Sequence, residues 1–118
     1  MPAMTIRMKN LRLRAIIGVQ DWERTRPQEI VVNIAIEYDG ARAAASDDVK
    51  DAIDYSAIKR RLLAEVERTR FFLLEKLADF ILGIVMEDRR VTRASVEVDK
   101  PHALRFADSV SVTVEAKR

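Results

Sequence analysis

Four residues of types that carry acid–base chemistry stand where the pattern of the chain changes: Glu23, Tyr55, Glu75 and Lys100. Lys100 ends the alternating run 94–100, and by parity it shares the apolar face of that run, so its ammonium group lies at the rim of a predicted core. A lysine is costly to bury without a partner, and a half-buried lysine at a strand end is a good candidate for acid–base chemistry. The alternative is a lysine whose stem lies on the core while its charge reaches water.

The other three residues also have structural alternatives. Glu23 lies in a long stretch between two predicted strands and could pair with Arg24 or Arg26 in solvent. Tyr55 stands at a predicted helix start and could be a core ring with a tethered hydroxyl. Glu75 falls in the opening turn of a second helix, where the helix dipole favours a carboxylate.

Composition limits the chemistry that these residues could perform. The chain has 118 residues, which we interpret as one domain spanning 1–118. It has no cysteine and a single histidine, His102, so disulfides, thiolate ligands and a multi-histidine metal site are excluded. We therefore expect catalysis without metal or other cofactor, by carboxylates, lysine, tyrosine and ordered water.

The charge pattern bears on partners and location. The net charge is +2, and the arginines form short clusters separated by acids, which favours solvated faces over a nucleic-acid platform. The longest apolar run, 81–86, is too short to cross a bilayer, and the first residues lack the apolar core of a signal peptide. We expect a soluble, cytoplasmic protein that binds neither nucleic acid nor membrane.

The first half of the chain predicts a hairpin with an oversized loop. Apolar residues alternate from about residue 5 to 17, and their parity switches near Asn10, which indicates a β-bulge. A second strand is predicted over 30–38. The connection from Gly18 to Pro27 is longer than hairpin loops usually are, and we interpret it as functional.

The second half predicts two helices and two strands. A single helical turn is expected over 41–45, followed by a helix capped by Asp54 or Ser56 with an apolar stripe at 58, 62 and 66. A second helix should carry Phe71 to Val85 on one face and end near 87–88. Strand 91–99, a loop from Lys100 to Ala107 and a strand over 109–115 complete the chain.

The element order is therefore β-β-α-α-β-β, an α+β fold with a four-stranded antiparallel sheet and two helices on one face. The other face would be polar, with Asn33, Glu37, Ser95, Glu97, Ser111 and Thr113. Because an open sheet leaves two bare edges, we predict a homo-oligomer, and a closed ring with the polar faces inward is one such arrangement.

Together and in order, these residues resemble the dihydroneopterin aldolase family, which is closely related to the dihydroneopterin triphosphate epimerases. The matching segments follow the family's order and spacing across nearly the whole chain, at 10–11, 16–24, 27–28, 46–48, 54–55, 72–78 and 99–101. The resemblance implies the tunnelling fold, in which four subunits join their sheets into a barrel and two rings stack into an octamer. It also implies a pterin site between neighbouring subunits.

The resemblance implies a role for each candidate residue. Glu75 would bind the guanidine-like edge of the pterin, with help from the Leu74 backbone, in the paired geometry of an arginine–carboxylate contact. In a retro-aldol reaction on 7,8-dihydroneopterin, Lys100 would carry the 2′-hydroxyl proton through an ordered water. Tyr55 would protonate the enol-like intermediate, and Glu23 would orient the side chain and the water. Lysine must lose its proton to act as a base, and partial burial would favour that loss.

Two reactions share these residues. Segments 102–111, 10–14, 66–67 and 70–71, together with Arg7, look more like the triphosphate epimerases, whereas 21–24 and 100–101 look more like the aldolases. The leading hypothesis is a metal-independent carbon–carbon lyase of folate biosynthesis that releases glycolaldehyde and 6-hydroxymethyl-7,8-dihydropterin and also epimerises C2′.

Two alternatives remain open, a dihydroneopterin triphosphate 2′-epimerase (an isomerase) and a non-catalytic pterin-binding ring. Phosphate binding would discriminate the aldolase from the epimerase. Arg24, Arg26 or Arg105 could serve it, and they could equally be surface charges.

Overall fold

A computed structural model describes residues 2–118. Four strands, β1 (Ala3–Ala15), β2 (Gln28–Asp39), β3 (Val91–Pro101) and β4 (Ser109–Lys117), form one antiparallel sheet in the order β1-β2-β3-β4. Three helices, α1 (Ala41–Ser46), α2 (Tyr55–Val66) and α3 (Leu74–Val85), lie between β2 and β3 in the chain, and short 3₁₀ helices span Asp21–Arg24 and Val49–Asp51. This arrangement confirms the predicted β-β-α-α-β-β order of a four-stranded sheet with two main helices.

The β-bulge predicted near Asn10 is present. The register of β1 against β2 shifts between Met8 and Leu11, and Asn10 has φ 54°, a left-handed value that asparagine tolerates better than most residues. The Asn10 backbone N–H donates to Asn33 Oδ1 at 2.9 Å, so the bulge is fixed to the neighbouring strand. The bulge allows both halves of β1 to direct apolar side chains to the same core.

The helices begin and end for local reasons. Asp54 caps α2 by accepting a hydrogen bond from the Ala57 backbone N–H at 2.9 Å, which selects Asp54 over Ser56 as the cap. The expectation that α3 carries Phe71 and runs to 87–88 is wrong. The helix begins at Leu74 and ends at Val85, and Phe71 lies before it, packed edge-on against Phe80 with ring centroids 5.5 Å apart.

The core lies between the helices and one face of the sheet. Alternate residues of β2 and β3 are fully buried there together with the inner faces of α2 and α3. The opposite face is polar as predicted, and on it Arg93 pairs with Glu37 at 3.6 Å and with Glu115 at 3.2 Å. In residues 2–118 no helix is long and apolar enough to span a membrane.

Strand β3 is longer than expected. It runs to Pro101, and Lys100 pairs with Val110 of β4, so Lys100 belongs to the strand rather than to the following loop. The loop between β3 and β4 is therefore 102–108. This extension fixes the Lys100 backbone in the sheet ladder, and it gives the lysine a defined direction.

Candidate active site

Lys100 and Glu23 form a nearly buried ion pair at one end of the sheet. The Lys100 Nζ donates to Glu23 Oε2 at 2.5 Å, and the two side chains are 14% and 7% exposed. The parity prediction for Lys100 is confirmed, because Val96 and Val98 on the same face are fully buried. The expected alternative for Glu23, a solvent pair with Arg24 or Arg26, is wrong.

The 3₁₀ helix at Asp21–Arg24 presents Glu23 to the lysine. The Gln20 backbone N–H donates to Glu23 Oε1 at 3.1 Å, which closes a capping box around this short helix. Gln28 Nε2 donates to Glu23 Oε2 at 3.0 Å and to the Ile17 carbonyl at 2.8 Å. Burial raises the pKa of Glu23, but the hydrogen bonds from Lys100, Gln28 and Gln20 outweigh it and hold that pKa below its ordinary value.

Gly18 leaves the space that the Glu23 carboxylate occupies. Its φ is 125°, which side-chain-bearing residues rarely adopt, and a Cβ at this position would lie 2.2 Å from the carboxylate carbon of Glu23. The glycine is therefore needed both for the backbone turn and for the close approach of the carboxylate.

Arg24 ties this loop to the segment before α3. Its guanidinium donates to the carbonyls of Gly18 at 2.8 Å, Phe71 at 3.1 Å and Arg70, and it lies 4.0 Å from the centroid of the Phe72 ring. Arg70 returns a hydrogen bond to the Arg24 carbonyl at 2.9 Å. Three of the five N–H donors of Arg24 thus go to backbone carbonyls, and the suggestion that Arg24 could bind phosphate stays a prediction.

A cavity of about 320 Å³ opens beside the ion pair. Glu23, Lys100 and Gln28 supply charged and amide groups to its lining, and Leu74 at the start of α3 also lines it. The remaining lining residues are Gly18, Val19, Gln20, Trp22, Phe72, Leu73, His102 and Ala103. Trp22, Phe72 and Leu73 are more than half exposed, so the rim of the cavity is apolar and open.

The other two predicted site residues lie outside the lining of this cavity. Glu75 is in the first turn of α3, as expected, where it is exposed one residue beyond Leu74. Tyr55 is the first residue of α2 and is 56% exposed, so the alternative of a core ring is wrong. Within one chain the structure thus brings together Glu23, Lys100 and Leu74 and leaves Tyr55 apart.

Sequence reasoning missed the roles of Gln28 and Gly18. Gln28 had a signal, because it is the first position of the apolar parity of β2, just as Lys100 is the last of β3. In residues 2–118 no group of three or more histidine and acidic side chains could hold a metal ion. The Glu23–Lys100 pair supplies the cavity with groups that can transfer protons and form hydrogen bonds.

Comparison with known proteins shows which family the sequence of this chain matches. The sequence model of the family described as "Dihydroneopterin aldolase" matches residues 6–115. The chain is 47% identical over 117 residues to the dihydroneopterin triphosphate 2′-epimerase of Escherichia coli strain K12, which covers 99% of this chain and 98% of that protein. It is 32% identical to the dihydroneopterin aldolase of the same organism, over 92% of this chain and 88% of that protein.

A solved structure agrees with the fold. The Escherichia coli dihydroneopterin aldolase in complex with neopterin superimposes with a TM-score of 0.90 at 31% identity, covering 96% of this chain and 98% of that one. The protomer therefore has the tunnelling fold that the sequence predicted.

Proposed function

The chain belongs to the dihydroneopterin aldolase family, and we propose that its function within that family is inversion of C2′ in 7,8-dihydroneopterin triphosphate. The observation that carries the choice of reaction is the 47% identity, over nearly the full length of both chains, to a relative named for that epimerisation. The prediction that cleavage of unphosphorylated 7,8-dihydroneopterin dominates is not specifically confirmed, since the aldolase relative is 32% identical.

Binding of the pterin ring would fall to the start of α3. Leu74 lines the cavity, and Glu75 follows in the first helical turn, where backbone N–H groups lack intrahelical partners. A carboxylate there can accept two parallel hydrogen bonds from the amino-pyrimidinone edge of a pterin, while the Leu74 backbone contributes a further contact. The relative crystallised with neopterin supports a pterin-type ligand for this site.

The Glu23–Lys100 pair would move the proton. Lys100, once its ammonium proton has passed to Glu23 or to water, takes the proton of the 2′-hydroxyl through an ordered water. The C1′–C2′ bond then breaks, and the electron pair passes into the imine of the dihydropterin. Glu23 orients Lys100 and the water, because its carboxylate is itself fixed by Gln20 and Gln28. Recombination on the opposite face of the aldehyde, with return of the proton, inverts C2′.

Tyr55 would come from a second subunit. It is more than half exposed on the chain to which it belongs, and the apolar cavity rim of Trp22, Phe72 and Leu73 is also exposed. We propose that neighbouring subunits of a ring, assembled as an octamer of two tetramers, bring Tyr55 of one chain to the Glu23–Lys100 pair of the next. There Tyr55 would protonate the intermediate when cleavage is completed.

Cleavage to 6-hydroxymethyl-7,8-dihydropterin and glycolaldehyde is the second candidate function. It uses the same bond-breaking step, and the aldolase relative and the solved aldolase structure favour it. The non-catalytic ring is disfavoured by the Glu23–Lys100 pair, because a buried ion pair facing a cavity has little use in a passive binder.

Inversion by the wild-type protein and by Lys100→Ala tests the proposal. We expect the wild type to convert stereochemically pure 7,8-dihydroneopterin triphosphate into its C2′ epimer, resolved by chromatography after oxidation and dephosphorylation. Lys100→Ala should still bind neopterin while its inversion rate falls at least a hundredfold, in the range of lost general acid–base catalysis. Unchanged inversion by Lys100→Ala would refute the proton-carrier role, and absence of inversion by the wild type would refute the epimerase.

A further inference from the structure

The basic side chains around the cavity differ in whether their donors are already occupied. Lys100 is paired with Glu23, and Arg24, which does not line the cavity, donates to three backbone carbonyls. Among the cavity-lining residues of the described chain, 2–118, only Lys100 and His102 have basic side chains. His102 is therefore the basic group on the wall that a phosphate chain could meet.

His102 opens a loop with an unusual backbone. The loop 102–108 joins β3 to β4, and all of its residues are exposed. His102 has φ 62° and Phe106 has φ 69°, left-handed values that are costly for residues with bulky side chains and that tend to persist at functional sites. Arg105 lies between them, with its guanidinium carbon 5.8 Å from the Phe106 ring centroid.

We propose that loop 102–108, through His102 and Arg105, holds the phosphate chain of the substrate while the C1′–C2′ bond is open. This inference rests on the proposed function, because it assigns residues to the triphosphate of that substrate. Because the loop retains the phosphate chain, the aldehyde fragment recombines with C1′ instead of leaving. The loop therefore sets the ratio of inversion to cleavage.

The position of the loop fits the order of atoms in the substrate. Lys100 acts at the C2′ hydroxyl, and the phosphate chain begins at the next carbon of the side chain. His102 is two residues beyond Lys100, at most about 7 Å along an extended backbone. The phosphate chain, which points away from the pterin end at Leu74, therefore reaches His102 and then Arg105. Arginine is well suited to phosphate because its planar fork makes paired charge-assisted hydrogen bonds.

The aldehydes formed from the two substrates differ in size and charge, and this difference explains why one substrate is cleaved and the other is inverted. Retro-aldol cleavage of unphosphorylated substrate yields glycolaldehyde, which is small and uncharged and leaves readily. The triphosphate yields an aldehyde that carries the whole phosphate chain, so the loop retains it while the aldehyde carbon turns its other face to C1′. The C1′–C2′ bond then re-forms, the electron pair returns from the dihydropterin, and the proton held at Lys100 returns to oxygen. No oxidant or reductant is needed.

The ratio of inversion to cleavage on 7,8-dihydroneopterin triphosphate tests the proposal. The test variant is the double substitution His102→Asn and Arg105→Gln, because asparagine accommodates a left-handed φ and preserves the loop. The matched control is Arg89→Gln, an exposed arginine that lies two residues before the start of β3. We expect the double variant to raise the share of cleavage about tenfold and to lose more of its rate on the triphosphate than on unphosphorylated 7,8-dihydroneopterin, with the control unaffected. An unchanged ratio, or equal losses on both substrates, overturns the proposal.

Binding separates this proposal from the proposed function. Affinities for neopterin and neopterin triphosphate can be measured by pterin fluorescence without turnover. We expect the wild type to bind the triphosphate at least tenfold more tightly and the double variant to lose that difference. If the wild type shows this preference and the double variant loses it, but the wild type does not invert the triphosphate, the proposed function fails and the assignment of phosphate binding to the loop stands. Equal wild-type affinities, or loss of the preference in Arg26→Gln instead, overturn the loop assignment.

Discussion

Lys100 Nζ lies 2.5 Å from Glu23 Oε2 although the two residues are 77 positions apart in the chain. The 3₁₀ helix of the long hairpin loop and the end of β3 meet at this contact, and Leu74 at the start of α3 lines the same cavity. Lys100, the proposed proton carrier, and Glu23 are thus held by two separate elements, β3 and the 3₁₀ helix at Asp21–Arg24.

Replacement of Glu23 by glutamine should make the free energy of unfolding less dependent on pH in the acidic range. Because the folded state lowers the pKa of Glu23 below its usual 4.5, its ionised form stabilises the fold above that value, and the stabilisation is lost as the pH falls through the lowered pKa. At neutral pH we expect the free energy of unfolding of Glu23→Gln to be about 2 kcal/mol lower than that of the wild type, because the substitution leaves Lys100 without its counter-charge.

Urea unfolding of both proteins across pH 3 to 7 measures this dependence. The other acids titrate in both proteins, so the difference between the two curves isolates Glu23. We expect the difference to shrink below about pH 4.5. A difference that stays constant from pH 7 to pH 3 would show that the Glu23 charge does not stabilise the fold.

Substitution of Gly18 by alanine should displace the carboxylate. A Cβ at this position meets the Glu23 carboxylate at 2.2 Å and sits on a backbone with φ 125°. We expect a loss of roughly 2 kcal/mol in unfolding free energy and a fall in turnover larger than the fall in stability alone would cause.

Gly83→Ala is the matched control for that substitution. Gly83 lies within α3, and a Cβ there has no neighbour within 4 Å. We expect this control to gain about 0.5–1 kcal/mol from helix propensity with turnover unchanged. Gly18→Ala with wild-type turnover would contradict the close packing of Glu23 at this turn.

The sequence predicts those features of the site that neighbouring residues determine. The direction of Lys100 follows from strand parity, and the bulge at Asn10 follows from the switch of apolar parity, because both are properties of neighbouring residues. The end of α3 at Val85 and its start after Phe71 were misplaced, since apolar residues continue the helical spacing beyond both limits.

The loop at Gly18 to Pro27 shows what a sequence does not predict. Its length marked it as functional, yet the roles of Gln28 and Arg24 depend on backbone carbonyls that are distant in sequence. A carbonyl acceptor has no residue-type signature, so such contacts are visible only in the folded chain. The position of Tyr55 relative to the ion pair lies beyond a single chain and stays a prediction.

Removal of the Arg24 tether should weaken pterin binding more than it weakens the fold. Arg24 joins the Glu23 loop to the residues that precede Leu74, and so it fixes the position of Glu23 relative to Leu74, where we propose that the pterin binds. For Arg24→Gln we expect a loss of about 1–2 kcal/mol in unfolding free energy and about a tenfold rise in KM.

Arg12→Gln serves as the control for the tether. Arg12 forms a surface pair with Glu29 at 3.1 Å in which both side chains are more than half exposed. Such a pair contributes about 0.5 kcal/mol or less, and KM should not change. An Arg24→Gln enzyme with wild-type KM would show that the segment before α3 keeps its position without the arginine.

Two inactive variants should restore activity when combined in one assembly. If Tyr55 acts on the Glu23–Lys100 pair of a neighbouring chain, a Tyr55→Phe subunit beside a Lys100→Ala subunit forms one site with both groups intact. Co-expression of the two variants with different affinity tags, followed by sequential purification, isolates mixed assemblies. We expect these to release 6-hydroxymethyl-7,8-dihydropterin from 7,8-dihydroneopterin at a rate well above that of either variant alone. No recovery would place Tyr55 and Lys100 of one site in the same subunit.

The most direct test of the central claim gives the wild-type protein 7,8-dihydroneopterin and its triphosphate in parallel and follows all products by chromatography. We predict inversion of the triphosphate at C2′ with little cleavage, and slower conversion of the unphosphorylated compound. Rapid release of 6-hydroxymethyl-7,8-dihydropterin from 7,8-dihydroneopterin, with the triphosphate left unchanged, would contradict the epimerase and establish the aldolase instead.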